Sequence, residues 1–158
     1  MKIYFANALF SQAEINYNAQ LAQQIRQLSP DIDLYLPQEN GDINDKQAYA
    51  DSTMIAQADT EQLVHSDLMV AILDGNTIDN GVATEIGVAY AKQIPVIGLY
   101  TDTRQQGADN QEKLQALSQI AENQFHYLNL YTTGLIKLNG TIVNNEPDLL
   151  AAVKKYLN

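Results

Sequence analysis

Apolar residues follow two alternating rhythms along the chain. Short, nearly unbroken apolar runs stand at "KIYFANA" near the start, in "DIDLYLP" (31–37), "DLMVAILDG" (67–75) and "IPVIGLY" (94–100). Between them lie longer stretches in which apolar residues recur three or four apart, the mark of helices with one buried face. Tyr17, Leu21, Ile25 and Leu28 give such a stripe. It is preceded by "SQAE" (11–14), a capping box in which a Ser cap is answered three residues later by Glu. Pro30 closes that segment. A second helix is expected to end near His65, a third to run from Gly81 to about Lys92, and a fourth to end near Ala121. Asn145 and Pro147, followed by Leu149, Leu150, Val153 and Leu157, predict a closing helix. "QFHYLNLY" (124–131) reads as a fifth strand, and "GLIKLNGTIV" (134–143) as an irregular or β segment.

Strands alternating with helices imply a parallel sheet covered on both faces. The unbroken apolar run "DLMVAIL" fits a strand buried on both sides. The expected fold is therefore α/β: a doubly wound, flavodoxin-like or Rossmann-like sheet of five parallel strands with helices on both faces. No repeat, low-complexity tract or linker interrupts residues 1–158, so a single domain is expected. In such sheets ligands bind beyond the carboxyl ends of the strands. The loops there are 6–11, 37–45, 74–81 and 101–110.

Composition narrows the chemistry. The 158 residues suffice for a real core, and the chain has no cysteine, so disulfides and thiolate metal sites are excluded. The absence of cysteine, of a signal-like start and of a long apolar stretch predicts a cytoplasmic protein. Nine Lys and Arg against nineteen Asp and Glu give a formal charge of −10, which argues against nucleic acid and anionic membrane as partners. A small neutral ligand remains compatible with it.

Against this background the carboxylates stand out. Val82, Glu85, Ile86 and Ala89 share one helical stripe, so Glu85 points where apolar side chains point. Burying it is costly unless something pairs with it. Two readings fit: a nucleophile or acid–base group, and a structural glutamate bonded to backbone or to a tyrosine. Asp59 interrupts a stripe formed with Ile55 and Leu63, unless that face of the helix meets solvent. Asp79 suits a helix cap two residues before Gly81, and Asp74 in "LDGN" suits a turn. His65 and His126 lack metal-ligand spacing. "GNTIDNG" lacks the Gly-Lys-Ser/Thr ending of a phosphate-binding loop, and "ANALF" after the first strand has no glycine for a dinucleotide.

Taken together, "IYFANALFSQAE", "LPQEN", "IAQADTEQLVHSDLMVAILDG" and above all "DNGVATEIGVAYA" resemble the nucleoside 2-deoxyribosyltransferases. The ordered set Tyr4, Asp59, Asp79, Glu85 carries the likeness. The resemblance implies that Glu85 is the nucleophile at the anomeric carbon, that Tyr4 orients it, and that Asp79 exchanges protons with the leaving and entering base. It implies that Asp59 holds the deoxyribose hydroxyls and that Phe10 lines the base pocket. Asn7, Gln38 and Gly81 would complete the substrate site, and Asn129 in "YLNLY" would reach a neighbouring subunit's site. The implied partners are a small-molecule 2′-deoxynucleoside and a free nucleobase, with neither nucleic acid nor membrane. A homo-oligomer, at least a dimer, with sites near subunit interfaces is also implied, and no metal or organic cofactor is expected.

The chemistry is coherent. Cleaving an N-glycosidic bond passes through an oxocarbenium-like state, which a carboxylate beside the anomeric carbon stabilises and can trap as an ester. The runner-up is a deoxynucleotide N-hydrolase with water as acceptor. Its relatives carry a Gly/Ser/Arg-rich first loop, which "ANALFSQ" does not match. A third reading is a non-catalytic nucleoside-binding module.

Overall fold

The computed structural model describes residues 1–44, 49–103, 109–116, 118–120 and 128–157. Five parallel strands form one sheet: β1 (Lys2–Ala6), β2 (Asp33–Tyr35), β3 (Leu68–Ile72), β4 (Val96–Leu99) and β5 (Gly140–Val143), in the order β2-β1-β3-β4-β5. The helices are α1 (Gln12–Arg26), α2 (Gly41–Asn44), α3 (Ser52–Val64), α4 (Asn80–Ala91), α5 (Gln111–Ala116), α6 (Leu130–Leu138) and α7 (Glu146–Lys154). A single 3-10 turn, Pro37–Glu39, and α2 occupy much of the segment expected to be a plain polar loop. The order is that of flavodoxin-like folds, whose ligand crevice lies where the chain switches sides, here between β1 and β3.

Strand alternation sorts the core into two halves. Ile3 and Phe5 of β1 pack with Leu68, Val70 and Ile72 against α1 and α7. Tyr4 and Ala6 point the other way, with Met69, Ala71 and Leu73, against α3, α4 and α6. Every residue of β3 is buried, as its unbroken apolar run requires. The capping box at Ser11 is formed: its hydroxyl accepts from the Glu14 N–H, and the Glu14 carboxylate accepts from the Ser11 N–H. It sets where α1 starts and hence the length of the loop after β1.

The expected fifth strand at 124–131 is a correction. Residues 124–127 lie outside the described residues. At Asn129 the chain enters a helix instead, because the Asn129 side chain accepts from the backbone N–H groups of Tyr131 and Thr132. Thr132, Thr133, Leu135 and Ile136 then turn one face inward at helical spacing. The fifth strand comes later, at Gly140–Val143, within the segment 134–143 expected to be irregular or β, whose first half instead continues α6; it pairs with β4 through Val96↔Gly140 to Leu99↔Val143. It begins with glycine for a steric reason: a Cβ there would collide with the Val96 carbonyl oxygen.

Gly140→Ala is accordingly expected to destabilise the chain by about 2–3 kcal/mol through overpacking against backbone. Urea unfolding monitored by circular dichroism measures this, and an unchanged midpoint would show that β5 does not sit this closely on β4.

Candidate active site

Three carboxylates from three separate segments border one cavity of about 300 Å³: Asp59 from α3, Asp79 from the loop before α4, and Glu85 from α4. Asn7, Phe10 and Gly81 border it too, with Pro37, Ile43 and Ile55 supplying apolar wall. A larger cavity of about 730 Å³ shares Asn7, Phe10 and Asp79 with it and extends toward Tyr17, Asp74 and Thr101. Both lie at the carboxyl end of β1 and β3. No Lys or Arg is among the described residues lining either cavity.

Glu85 is held from below. The Tyr4 hydroxyl, on a side chain with no exposed surface, donates to Glu85 Oε1 at 2.6 Å. This contact exists because β1 turns its even-numbered side chains toward α4. Burial pushes the Glu85 carboxyl up from its ordinary 4.5 to about 7; the Tyr4 hydrogen bond works against that rise, while the charges of Asp59 and Asp79 add to it. Burial, then the Glu85 charge, drives the Tyr4 phenol well above its usual value, so it remains a donor. Asp59 accepts from the Tyr35 hydroxyl at 3.0 Å. Burial raises its carboxyl, and the Tyr35 bond opposes the rise.

Asp79 is also the N-cap of α4: its Oδ1 accepts from the Val82 N–H at 3.1 Å. Gly81 is small for a reason, since a Cβ there would stand 2.9 Å from that same oxygen. Upstream, Asp74 accepts from both the N–H and the hydroxyl of Thr101, each at 2.7 Å, tying the end of β3 to the end of β4. Gly75 follows with φ +126°, a conformation that favours glycine. Cap, glycines and tie together fix where α4 begins, and so where Glu85 stands one turn later.

The other sequence candidates separate. Asn7 borders both cavities, its amide donating to Asn18 and accepting from the Ala8 N–H. Phe10 stands at the mouth, 80% exposed. Gln38 borders neither cavity: its amide donates to the Ile15 carbonyl and accepts from the buried Asn18. Its part is to hold the loop that carries Pro37. Asn129 is engaged as the cap of α6 and borders neither cavity. His65 bonds the Glu61 carbonyl, and His126 lies outside the described residues. The sequence reading missed Tyr35, Asn40 and Asn18, which hold the cavity's polar groups from behind. Among the described residues no three His, Asp or Glu side chains gather as metal ligands would, and no helix is long and apolar enough to cross a membrane.

Residues 3–130 match the family described as nucleoside 2-deoxyribosyltransferase. The crystal structure of a conserved protein from Enterococcus faecalis V583 is 70% identical, with a TM-score of 0.93 over 99% of this chain and 98% of that one. A 2-deoxyribosyltransferase from Bacillus psychrosaccharolyticus shares the fold at 24% identity, with a TM-score of 0.53 over 63% of this chain and 72% of its own. A CMP N-glycosidase from Clostridium botulinum, 14% identical, superposes with a TM-score of 0.53 over 99% of both chains.

The raised Glu85 carboxyl has a consequence for stability. The folded chain binds the Glu85 proton up to about pH 7, whereas the unfolded chain releases it near 4.5. Stability contributed by this group is therefore full below 4.5 and lost as pH rises through 7. Glu85→Gln is expected to be more stable than the natural chain at about pH 9, by about 2–3 kcal/mol, and equal to it at about pH 4. Chemical denaturation at the two pH values checks this; a difference that does not change with pH would contradict the buried, perturbed carboxyl.

Proposed function

Since the chain belongs to the nucleoside 2-deoxyribosyltransferase family, we propose that it moves 2-deoxyribose between nucleobases through an ester on Glu85. The observation that carries this reading is a largely buried carboxylate, oriented by Tyr4, in a cavity shared with two further carboxylates. In the first half-reaction a Glu85 oxygen bonds to the anomeric carbon. The N-glycosidic bond breaks, its electron pair goes to the base nitrogen, and Asp79 supplies the proton that neutralises the departing base. In the second, Asp79 takes a proton from an incoming base whose nitrogen attacks the same carbon, and Glu85 leaves as carboxylate. Asp59 holds the sugar hydroxyls, and Phe10 covers the base at the mouth. Tyr4 stabilises the charge that Glu85 carries before attack and after release. Deoxyribose suits this route because, without a 2′-hydroxyl, its oxocarbenium-like state forms more readily.

The substrate in this reading is an uncharged deoxynucleoside. A 5′-phosphate beside the three carboxylates would be repelled by roughly 3 kcal/mol for each pair of charges about 5 Å apart at an effective dielectric near 20. No Lys or Arg lines the described cavity walls to offset this. Hydrolysis is the second reading, in which water replaces the acceptor base in the same scheme. Its support is the fold shared along the whole chain with an N-glycosidase that acts on CMP.

One assay separates the readings. Deoxyinosine with free adenine is expected to give deoxyadenosine; free deoxyribose without a new nucleoside would establish hydrolysis, and no reaction would favour a binding module. Glu85→Ala is expected to abolish turnover while remaining folded. Attack needs Glu85 ionised while departure of the base needs the proton on Asp79, so the active form carries one proton between the two acids, and kcat/KM should fall as pH rises through about 7, where that proton is lost. Deoxyadenosine should be preferred over its 5′-monophosphate; the reverse preference would overturn the electrostatic part of the reading.

The reading also includes a homo-oligomer with sites near subunit contacts. Leu130, Tyr131 and Leu138 on α6 are 86%, 76% and 70% exposed, an apolar surface that a second copy would cover. Light scattering is expected to give at least a dimer, and a monomer at working concentration would remove this part.

A further inference from the structure

The hydroxyl of Tyr35 serves Asp59 as the hydroxyl of Tyr4 serves Glu85, and the sheet itself sets the two side by side. Tyr4 and Tyr35 are register partners on the adjacent parallel strands β1 and β2. Their rings stack with centroids 5.5 Å apart and planes 25° from parallel. Each then reaches a carboxylate on a different helix: Tyr4 meets Glu85 on α4 at 2.6 Å, and Tyr35 meets Asp59 on α3 at 3.0 Å. The Asn40 side-chain amide donates to the Tyr35 hydroxyl oxygen at 3.1 Å.

We propose that Tyr35, oriented by Asn40, is the positioning residue for Asp59. A tyrosine hydroxyl has one proton. That of Tyr4 is committed to Glu85, so Asp59 needs a donor of its own. The Tyr35 oxygen accepts from Asn40, which leaves its proton for Asp59. A purely structural role explains this less well. The charge of Asp59 disfavours ionised Glu85, so the two acids held near each other work against the fold. The ionisable groups that feel the charge of Asp59 come from three elements: Tyr35 on β2, Tyr4 on β1 and Glu85 on α4. Of these, Tyr35 donates a hydrogen bond to it, and that bond favours its ionised form. The inference rests on the sugar-binding role given to Asp59 above. It adds that the spacing of two neighbouring strands sets where the sugar's hydroxyls and its anomeric carbon meet their two carboxylates.

The experiment compares Tyr35→Phe and Asn40→Ala in the full chain, with two readouts. The first is the titration of the Asp59 carboxyl by carbon-detected NMR, which requires no activity. Its midpoint is expected to rise in Tyr35→Phe and to rise less in Asn40→Ala, which keeps the stacked ring if the first variant folds poorly. The second is steady-state kinetics of deoxyinosine-to-adenine transfer. KM for the deoxynucleoside is expected to rise about tenfold in Tyr35→Phe with kcat nearly unchanged, as for loss of one hydrogen bond to a charged group that binds ground and transition states alike. An Asp59 midpoint unmoved in both variants, or a loss confined to kcat, would overturn the inference. If the natural chain proves not to transfer deoxyribose, the titration still decides it, so the two failures are distinguishable.

Discussion

A single hydrogen bond, from the buried Tyr4 hydroxyl to Glu85, is the constraint on which the site depends. It joins the central part of the sheet to the second turn of α4, and it acts where water is largely excluded. Without it the carboxylate would face burial with no partner, and that cost would favour either protonation or a different helix position. With it, Glu85 is aimed into the cavity and its pKa lies near neutrality rather than far above. The elements around it serve that placement. The Asp79 cap fixes the first turn of α4, Gly81 leaves the cap room, and the Asp74–Thr101 tie fixes the strand ends from which the loop departs.

The two faces of the sheet divide the work. Against α1 and α7 the core is almost entirely aliphatic and aromatic and serves stability. Against α3 and α4 the same strands present Tyr4 and Tyr35, whose apolar rings pack while their hydroxyls face carboxylates. Three acids around a small cavity repel one another, a strain expected of a site selected for chemistry rather than stability. The first face offsets what the second costs. A net charge of −10, with no cation among the described residues lining these cavities, is what the proposed preference for uncharged ligands rests on.

Much of this was legible in the sequence, and the reasons differ by residue. Four strands and the main helices follow from apolar rhythm, and the Ser11 capping box and Asp79 cap from local chemistry alone. Glu85 was conspicuous because it is the one ionisable residue on an otherwise apolar stripe. Tyr35 and Asn40 were not, because their value depends on the β1–β2 register, which local pattern does not specify. Gln38 looked like a ligand-facing amide, yet Asn18 and the Ile15 carbonyl take up both of its ends. The fifth strand was misplaced because "YLNLY" alternates like a strand, whereas Asn129 caps a helix that begins at Leu130.

The most direct test is chemical trapping. A 2-fluoro deoxynucleoside destabilises the oxocarbenium-like state and should slow release of the sugar more than the ester's formation costs. Incubation followed by peptide mapping is predicted to find one fluorinated sugar, attached to the peptide bearing Glu85 and to that side chain. An adduct on Asp59, Asp79 or any other residue, or base release with no adduct at all, would contradict the account.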